Sequence, residues 1–270
     1  MITDFIYDGI RLSELGYAIV SFDGVKDNEV DTDSQLTFNH VSFFRGKRQP
    51  FITSVYENPL EFELYIAKNL CASDEAISAS SYNISVRDMT FLKRWLSRAT
   101  PHKLVAVNDE YNGVYWNGSF NVEEYALGDG RIGAHLTFEC DAPYGYMEDV
   151  IIKGSLDADE SYKYSCVSDE IGWIYPTIKI DVLQDGDLNL VNSADNRIIE
   201  IKGCVTGETI TIDSNMQIRT NVQSHKIADD FNYVFYRVIN SFDSTDNTIQ
   251  SNLPINFMIK YTPYAKVVMI

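Results

Sequence analysis

The chain has 270 residues, 45% of them hydrophobic, and it carries 22 Lys and Arg against 39 Asp and Glu, a formal charge of −17. The apolar fraction excludes an intrinsically disordered chain, which buries too little surface to offset the entropy lost on ordering. The negative charge argues against a surface that holds nucleic acid by its phosphates, because such a surface needs clustered Lys and Arg. The length suits one large domain or two ordinary ones.

The first residues predict a β-hairpin. Phe5–Tyr7 and Ile10–Leu12 flank the pair Asp8-Gly9, which supplies the positive φ angles of a tight turn. Leu60, Phe62, Leu64 and Ile66 alternate with Glu61, Glu63, Tyr65 and Ala67, a period that puts one face in a core and the other in water. The same pattern predicts further strands in the first half at Tyr17–Phe22, Val41–Phe44, Leu104–Val107, Ser119–Tyr125 and Ile132–Cys140.

The acidic segment 23–33 predicts a solvated loop between strands. Its carboxylates are opposed by Lys26 alone. A calcium-loop interpretation from Asp31 fails, because the motif needs Gly at its sixth and Glu at its twelfth position, where this chain has Leu36 and Ser42. The acidic residues of the loop are Asp23, Asp27, Glu29, Asp31 and Asp33.

One segment predicts a helix, over residues 86–99. Its apolar residues recur at a spacing of three to four, which makes one helix face. Ser85 is placed to cap its start, and Pro101 stops it. The basic residues Lys93, Arg94 and Arg98 indicate a solvated face rather than a phosphate patch. The residues predicted to pack this helix on a core are Leu92, Trp95 and Leu96, with Met89 and Ala99 on the same face.

The second half predicts an all-β sandwich, since short alternating runs are separated by closely spaced turn signals. The join between the halves falls near Pro143–Ile151, where the alternation stops. We therefore expect one domain over residues 1–148 and another over 149–270. The strands expected in the second half are Tyr162–Val167, Ile178–Val182, Leu188–Val191, Arg197–Ile201, Thr209–Ile212, Phe231–Val238, Ile255–Tyr261 and Lys266–Ile270.

No motif in the chain predicts catalysis, a cofactor or a metal. There is no G-x-S-x-G elbow and no closely spaced His pair. Gly128–Gly133 spells G-x-G-x-x-G, but a strand pattern follows it where a dinucleotide site needs a helix, so it predicts a hairpin turn. Without a CxxC pair, Cys71, Cys140, Cys166 and Cys204 are expected to be buried reduced thiols.

Neither a signal peptide nor a membrane segment is expected. The first residues lack a basic region followed by an apolar one. The longest apolar runs are about four residues, against roughly 20 for a membrane helix. The sequence therefore predicts a protein made in a cytoplasm.

Two other functions stay open at this stage. Tyr162 and Tyr164 on one strand face, or Trp173 and Tyr175 beside a turn, would suit a carbohydrate-binding module, although such rings more often fill a core. A glycosidase with an unrecognised carboxylate pair is the other alternative, because any acidic sandwich offers candidates.

The order of these features resembles the distal tail protein family of long-tailed phages that infect Gram-positive bacteria. The resemblance spans nearly the whole chain. The order and spacing of the matching segments are more specific to the family than any single segment. The matching pieces are the hairpin Phe5–Leu12 with Leu15–Tyr17, the helix residues Phe91–Leu96, Lys103–Val107 leading to Tyr115–Gly118, the closing segment Leu136–Tyr144 and the early sandwich strand Tyr175–Ile180.

The resemblance implies a structural role at the virion tail tip. It implies that the N-terminal domain forms a hexameric ring around a DNA channel and that the C-terminal domain is a galectin-like β-sandwich. The expected partners are further copies of the chain, including back-to-back rings, the major tail tube protein, a tail-associated hub protein and receptor-binding or baseplate proteins. Stable nucleic-acid binding, membrane insertion and a cofactor are not expected, and the protein is expected to be made in the cytoplasm of the host bacterium.

If the N-terminal domain forms a ring around DNA, the net negative charge of the chain can be interpreted more specifically. Residues 1–150 hold 23 acidic and 12 basic groups, a net −11, whereas residues 151–270 carry −6. We therefore expect an electronegative channel that lets DNA pass without holding it. The candidates for ring contact or channel lining are Asp23, Asp27, Glu29, Asp31 and Asp33, with the hairpin near residues 49–57 as a second contact segment.

Overall fold

A computed structural model describes residues 2–22, 36–40, 51–56, 58–72 and 79–267. The chain divides into two compact units, one of Met1–Tyr146 with Lys266–Ile270 and one of Met147–Ala265. The strand pairs within the two large sheets of the C-terminal unit and along the main path of the N-terminal sheet are antiparallel, and strands dominate both units. The prediction of a mainly β chain with a helix in its first half is therefore confirmed.

The N-terminal unit is built on one sheet with a helix on its apolar face. Its helix is α1 (Val86–Leu96), and its strands are β1 (Phe5–Tyr7), β2 (Ile10–Arg11), β3 (Tyr17–Val20), β4 (Leu36–His40), β5 (Phe51–Tyr56), β6 (Glu61–Lys68), β7 (His102–Ala106), β8 (Val114–Leu127), β9 (Gly130–Cys140) and β10 (Gly145–Met147). The main path of the sheet runs β2-β1-β7-β8-β9-β6-β3, while β4 and β5 pair with each other.

Two tight turns occur where the sequence predicts them. Asp8 and Gly9 have φ angles of 51° and 77°, the left-handed conformation that joins β1 to β2. Gly128 has a φ of 59° in the turn between β8 and β9, and Gly130 already belongs to a strand. The G-x-G-x-x-G segment is thus a hairpin.

Helix α1 begins at the predicted cap but ends three residues early. The Ser85 hydroxyl accepts a hydrogen bond from the Asp88 amide at 3.1 Å. The helix ends at Leu96 rather than 99, and Ala99 is exposed. The reason is a tertiary contact with β8. The Arg98 amide donates to Ser119 Oγ at 2.9 Å, and the Ser119 hydroxyl donates to the Arg98 carbonyl at 2.7 Å. These backbone groups are therefore not available for the hydrogen bonds of another helical turn.

Helix α1 packs its apolar face on aromatic side chains of the sheet. Met89, Leu92, Trp95 and Leu96 are buried. The Trp95 indole donates to the Tyr7 carbonyl at 3.1 Å, so the ring satisfies its polar atom while its body fills the core. Its ring contacts those of Phe5 and Tyr7, which in turn pack on Phe120 and Phe138.

The C-terminal unit is a sandwich of two antiparallel sheets. Its short helix is α2 (Ile227–Asp230), and its strands are β11 (Val150–Leu156), β12 (Ser161–Ser165), β13 (Gly172–Ile174), β14 (Thr177–Val182), β15 (Gly186–Asn192), β16 (Arg197–Cys204), β17 (Thr209–Ile212), β18 (Ile218–Thr220), β19 (Val238–Asn240), β20 (Asp246–Ser251), β21 (Ile255–Tyr261) and β22 (Tyr264–Ala265). One sheet runs β11-β21-β14-β17-β18 and the other β12-β20-β15-β16, with a buried aliphatic core drawn from both. A separate pair, β13 and β19, lies in the same unit.

The prediction of a strand at Phe231–Val238 is wrong. Tyr233 has a φ of 58°, which interrupts an extended chain, and the Asn232 side chain donates to the Ile198 carbonyl and accepts from the Val234 amide. Regular pairing begins only at Val238. Residues 266–267 are likewise outside any strand, while the rest of the predicted final strand and all of Val41–Phe44 lie outside the described residues.

The prediction of four buried cysteines holds for three of them. Cys140, Cys166 and Cys204 are buried free thiols, but Cys71 is exposed. Its position explains the exposure, because it lies in a short 3-10 turn, Leu70–Ala72, that follows β6. Burial raises the pKa of each buried thiol, to about 12 for Cys204, which keeps these sulfurs protonated and unreactive.

Candidate functional site

The outward face of the N-terminal sheet is the candidate functional site. The hydrogen-bonded registers of β8, β9 and β6 put Phe120, Phe138 and Phe62 in one inward row. Because side chains alternate between the two faces of a strand, the neighbouring residues form rows on the opposite face. Each outward row takes one residue from β8, one from β9 and one from β6. The rows are Ser119 with Glu139 and Glu61, Asn121 with Thr137 and Glu63, and Glu123 with His135 and Tyr65.

This outward face is acidic. It holds four exposed carboxylates, those of Glu61, Glu63, Glu123 and Glu139, and the three rows contain no Lys or Arg. Their one titratable base is His135, which carries a positive charge only when it is protonated. The rows therefore present a surface that repels phosphate at neutral pH.

His135 is held between two of these carboxylates. Its Nε2 lies 3.2 Å from a Glu63 oxygen, its Nδ1 lies 3.7 Å from a Glu123 oxygen, and its ring stacks on Tyr65 with centroids 4.6 Å apart. The contacts bring the β8–β9 hairpin together with β6, which is about 50 residues earlier in the chain.

An aromatic patch closes one end of the outward face. Phe22 stacks on Tyr125 with centroids 4.3 Å apart and meets the edge of Tyr65. Gly133 makes this possible, because a Cβ there would lie 2.5 Å from the Phe22 ring and 2.6 Å from the Ile66 carbonyl. The face thus changes from carboxylates to packed rings along the length of the hairpin.

The cations of the helix lie on the other side of the sheet. Lys93 Nζ donates to Glu124 at 3.0 Å and Arg131 also bonds this carboxylate, which holds the pKa of Glu124 below its usual range. Arg98 pairs with Asp8 at 2.9 Å. These pairs are solvent-exposed, which agrees with the predicted solvated face, and the outward rows stay acidic.

The residues predicted from the sequence fall in two places. Leu92, Trp95 and Leu96 lie buried on α1. The predicted channel candidates Asp23, Asp27, Glu29, Asp31 and Asp33 lie outside the described residues. Sequence reasoning missed Glu123 and Glu139 as members of the acidic face, whereas the alternation of Glu61 and Glu63 with Leu60 and Phe62 was a signal for the other two.

The candidate aromatic site of the C-terminal unit is divided between core and surface. Tyr164 is buried, and its hydroxyl shares a 3.0 Å hydrogen bond with that of Tyr236. Burial raises the pKa of both phenols. Trp173 is exposed, with the Arg237 guanidinium 4.8 Å from its ring centroid.

Metal-binding clusters and membrane-spanning helices are both absent from the described part of the chain. Within it, no group of three or more His, Cys, Asp or Glu side chains is arranged to hold a metal ion. None of its helices has the length and apolar character to cross a membrane.

Comparison with known proteins gives the family. A model described as "Phage tail protein N-terminal domain" matches residues 1–142, and one described as "Phage tail C-terminal domain" matches residues 144–261. The chain belongs to this family of phage tail proteins. As a phage tail protein, it is a component of the virion tail.

A solved structure shows the fold of this tail protein. The Dit protein (gp 19.1) of phage SPP1, described as a paradigm of the hub adsorption apparatus in phages that infect Gram-positive bacteria, matches with a TM-score of 0.65 and 11% identity. The match covers 97% of this chain and 99% of the SPP1 protein. No curated protein sequence matches the chain. The resemblance predicted from the sequence is confirmed by the family and by the shared fold.

Proposed function

We propose that this tail protein is a structural subunit of the tail tip, whose N-terminal unit assembles into a hexameric ring around the path of the DNA. The observation that carries the proposal is the acidic outward face of β6, β8 and β9. A sheet that packs a helix on one face and exposes four carboxylates on the other suits the wall of a channel through which DNA slides without being held.

The role is non-enzymatic in this proposal, and the C-terminal sandwich, galectin-like in type, supports other tail components. The ring joins the major tail tube protein to a tail-associated hub protein and to receptor-binding or baseplate proteins, and two rings pack back to back. The protein is made in the cytoplasm of the host bacterium. Likeness in fold to the SPP1 hub protein supports this reading.

Ring contacts are assigned to the arm that contains β4 and β5 and to the loop before it. In support, β4 and β5 pair with each other rather than with the main sheet, over the register Leu36 to Tyr56. A two-stranded sheet separate from the main sheet suits an arm that contacts a neighbouring copy of the chain. The acidic residues 23–33 precede this hairpin directly in the chain.

Light scattering and negative-stain microscopy of the purified protein test the ring. We expect a species of six times the 30.7 kDa subunit mass, with a central hole in projection. Deletion of residues 41–50, which lie between β4 and β5 in the chain, should leave the protein folded but shift it to smaller species. A strict monomer at high concentration, with no rings on the grid, would contradict the proposal.

A further inference from the structure

The chain contains two Asn-Gly pairs, Asn112-Gly113 and Asn117-Gly118. Asparagine is a thermolabile residue, and a following glycine makes it more so, because a residue without a Cβ lets its backbone nitrogen approach the asparagine side chain. The two pairs are identical in sequence and lie close together in the chain. A difference in their reactivity would therefore come mainly from the fold.

The first pair lies in an exposed turn. Asn112 has φ and ψ angles of −59° and 125°, and Gly113 has a φ of 81°, the pattern of the two central residues of a type II turn. Both residues are exposed, and nothing lies within 4 Å of the place that a Cβ of Gly113 would take. Among the described residues, none forms a hydrogen bond with the Gly113 amide. That amide can therefore change its orientation without losing a partner.

The chain just before this turn is anchored. The Asn108 side chain accepts a hydrogen bond from the Glu110 amide at 3.1 Å, and the Asn112 amide donates to the Asp109 carbonyl at 3.3 Å. Tyr111 is buried. These contacts hold the chain up to the Asn112 nitrogen, so the first bond that is free to rotate is the one between Cα and the carbonyl carbon of Asn112.

The second pair lies inside β8, between two neighbouring strands. Asn117 and Gly118 are opposite Lys103 and His102 of β7, and Gly118 is also opposite Cys140 of β9. A central strand of this kind opens only when its neighbours separate from it. The pairing therefore restrains the backbone on both sides of the Asn117 side chain.

Further contacts restrain the second pair from outside the ladder. The Asp141 amide donates to the Asn117 carbonyl at 2.8 Å, and the Tyr7 hydroxyl donates to the Gly118 carbonyl at 3.1 Å. Gly118 is buried, and a Cβ there would overlap the Glu139 carbonyl. Rotation of the peptide between Asn117 and Gly118 would break these hydrogen bonds and needs space that the sheet does not have.

The reaction open to the first pair needs only water. The Gly113 nitrogen, once hydroxide has taken its proton, attacks Cγ of Asn112. The bond from Cγ to the side-chain nitrogen breaks, and that nitrogen leaves as ammonia with a proton from water. A second water molecule opens the cyclic imide at either carbonyl and yields aspartate or isoaspartate. The sum is one water consumed and one ammonia released, with no oxidation or reduction.

Ring closure requires one change of conformation. The extended ψ of Asn112 points the Gly113 nitrogen away from the side chain, so the bond between Cα and the carbonyl carbon must rotate before the attack. The exposed turn permits this rotation, whereas the paired strand around Asn117 opposes it.

We propose that Asn112 is a site of spontaneous deamidation in the folded protein and that the sheet protects Asn117 from the same reaction. The proposal is independent of the ring and of the acidic face. The product adds a carboxylate to a turn that already carries Asp109 and Glu110, and isoaspartate also lengthens the main chain just before β8. Since a virion component is not resynthesised outside the host, the change accumulates with the age of the particle.

Peptide mapping by mass spectrometry tests the proposal. The purified protein is kept at neutral and at mildly alkaline pH, sampled over time and digested with chymotrypsin, since cleavage after Tyr115 or Trp116 puts the two asparagines in different peptides. We expect Asn112 to be converted steadily, and faster at alkaline pH because the deprotonated amide is the attacking group. Asn117 should react at least about tenfold more slowly, because the sheet must open first. Equal rates at the two sites, a faster reaction at Asn117 or an unchanged Asn112 would overturn the proposal.

Unfolding the protein in urea is the matched control. Without the turn and the strand, the two pairs should react at similar rates, and a preference for Asn112 that persisted in urea would show that the local sequence, not the fold, selects the site. Labelling with an isoaspartate methyltransferase distinguishes isoaspartate from aspartate. Asn112→Gln should abolish the product at position 112, leave Asn117 unchanged and, as an exposed substitution, leave thermal unfolding close to that of the wild type.

Discussion

At the scale of single residues, Asp4 shows how a buried carboxylate can be stabilising. Burial raises the pKa of Asp4, but bonds from the Arg11 guanidinium, from the Ser13 hydroxyl and amide, and from the Phe5 amide outweigh that effect and leave the pKa below its usual range. The ionised group thus joins β1 to the turn after β2. Its chemistry is readable only in the structure, because nothing in the sequence distinguishes it from the exposed acids.

The pH dependence of stability tests this role. The pKa of Asp4 is lower in the folded protein than in the unfolded chain. Its contribution to the free energy of unfolding is therefore fully present above about pH 4, the unfolded pKa, and is lost as the pH falls through the folded pKa. Asp4→Asn should lower the unfolding free energy by about 1–3 kcal/mol at pH 7, with the difference from wild type narrowing towards pH 2. Urea unfolding followed by fluorescence measures this, and Glu14→Gln at an exposed site is the control. An equal loss at both pH values would contradict the charge-based explanation.

At the scale of elements, alternation and capping were enough to predict most strands and the helix. The period-two run at 60–67 and the Asp8-Gly9 turn encode their structure locally, so β6 and the opening hairpin follow from them. The end of α1 and the irregular segment 231–237 were not predictable in this way. Both depend on distant partners, namely Ser119 of β8 and the Ile198 carbonyl of β16.

Helix α1 provides a matched pair of aromatic residues for measuring the value of its buried face. Trp95 is buried and bonded to Tyr7, whereas Phe91, one turn earlier, is 46% exposed. Trp95→Ala should lower the unfolding free energy of the N-terminal unit by about 3–5 kcal/mol, because it opens a cavity against the sheet. Phe91→Ala should cost less than about 1 kcal/mol. Denaturant unfolding of the two variants decides this, and equal losses would show that α1 is not anchored by its buried face.

At the scale of the whole molecule, the structure shows where part of the charge of −17 lies. Four of its carboxylates form the outward face of one sheet, opposite the side on which Lys93 and Arg131 both pair with Glu124. The alternation of Glu61 and Glu63 was visible in the sequence. Their proximity to Glu123 and Glu139 was not, since it depends on the register of β6 and β8 against β9, which only the folded sheet defines.

Reversing the charge on this face should create DNA binding where there was none. In Glu63→Lys/Glu123→Lys, two exposed carboxylates of the outward face become cations. The assembled double variant should therefore shift duplex DNA in a gel-shift assay at low salt. It should release the DNA as the salt concentration rises, because each contact with a phosphate releases a bound counterion. The unmodified protein should not shift the DNA. Glu160→Lys/Asp229→Lys makes the same change in net charge at exposed sites of the C-terminal unit and should bind much more weakly. If the two double variants bind alike, net charge alone explains the effect, and the acidic face has no special relation to the path of the DNA.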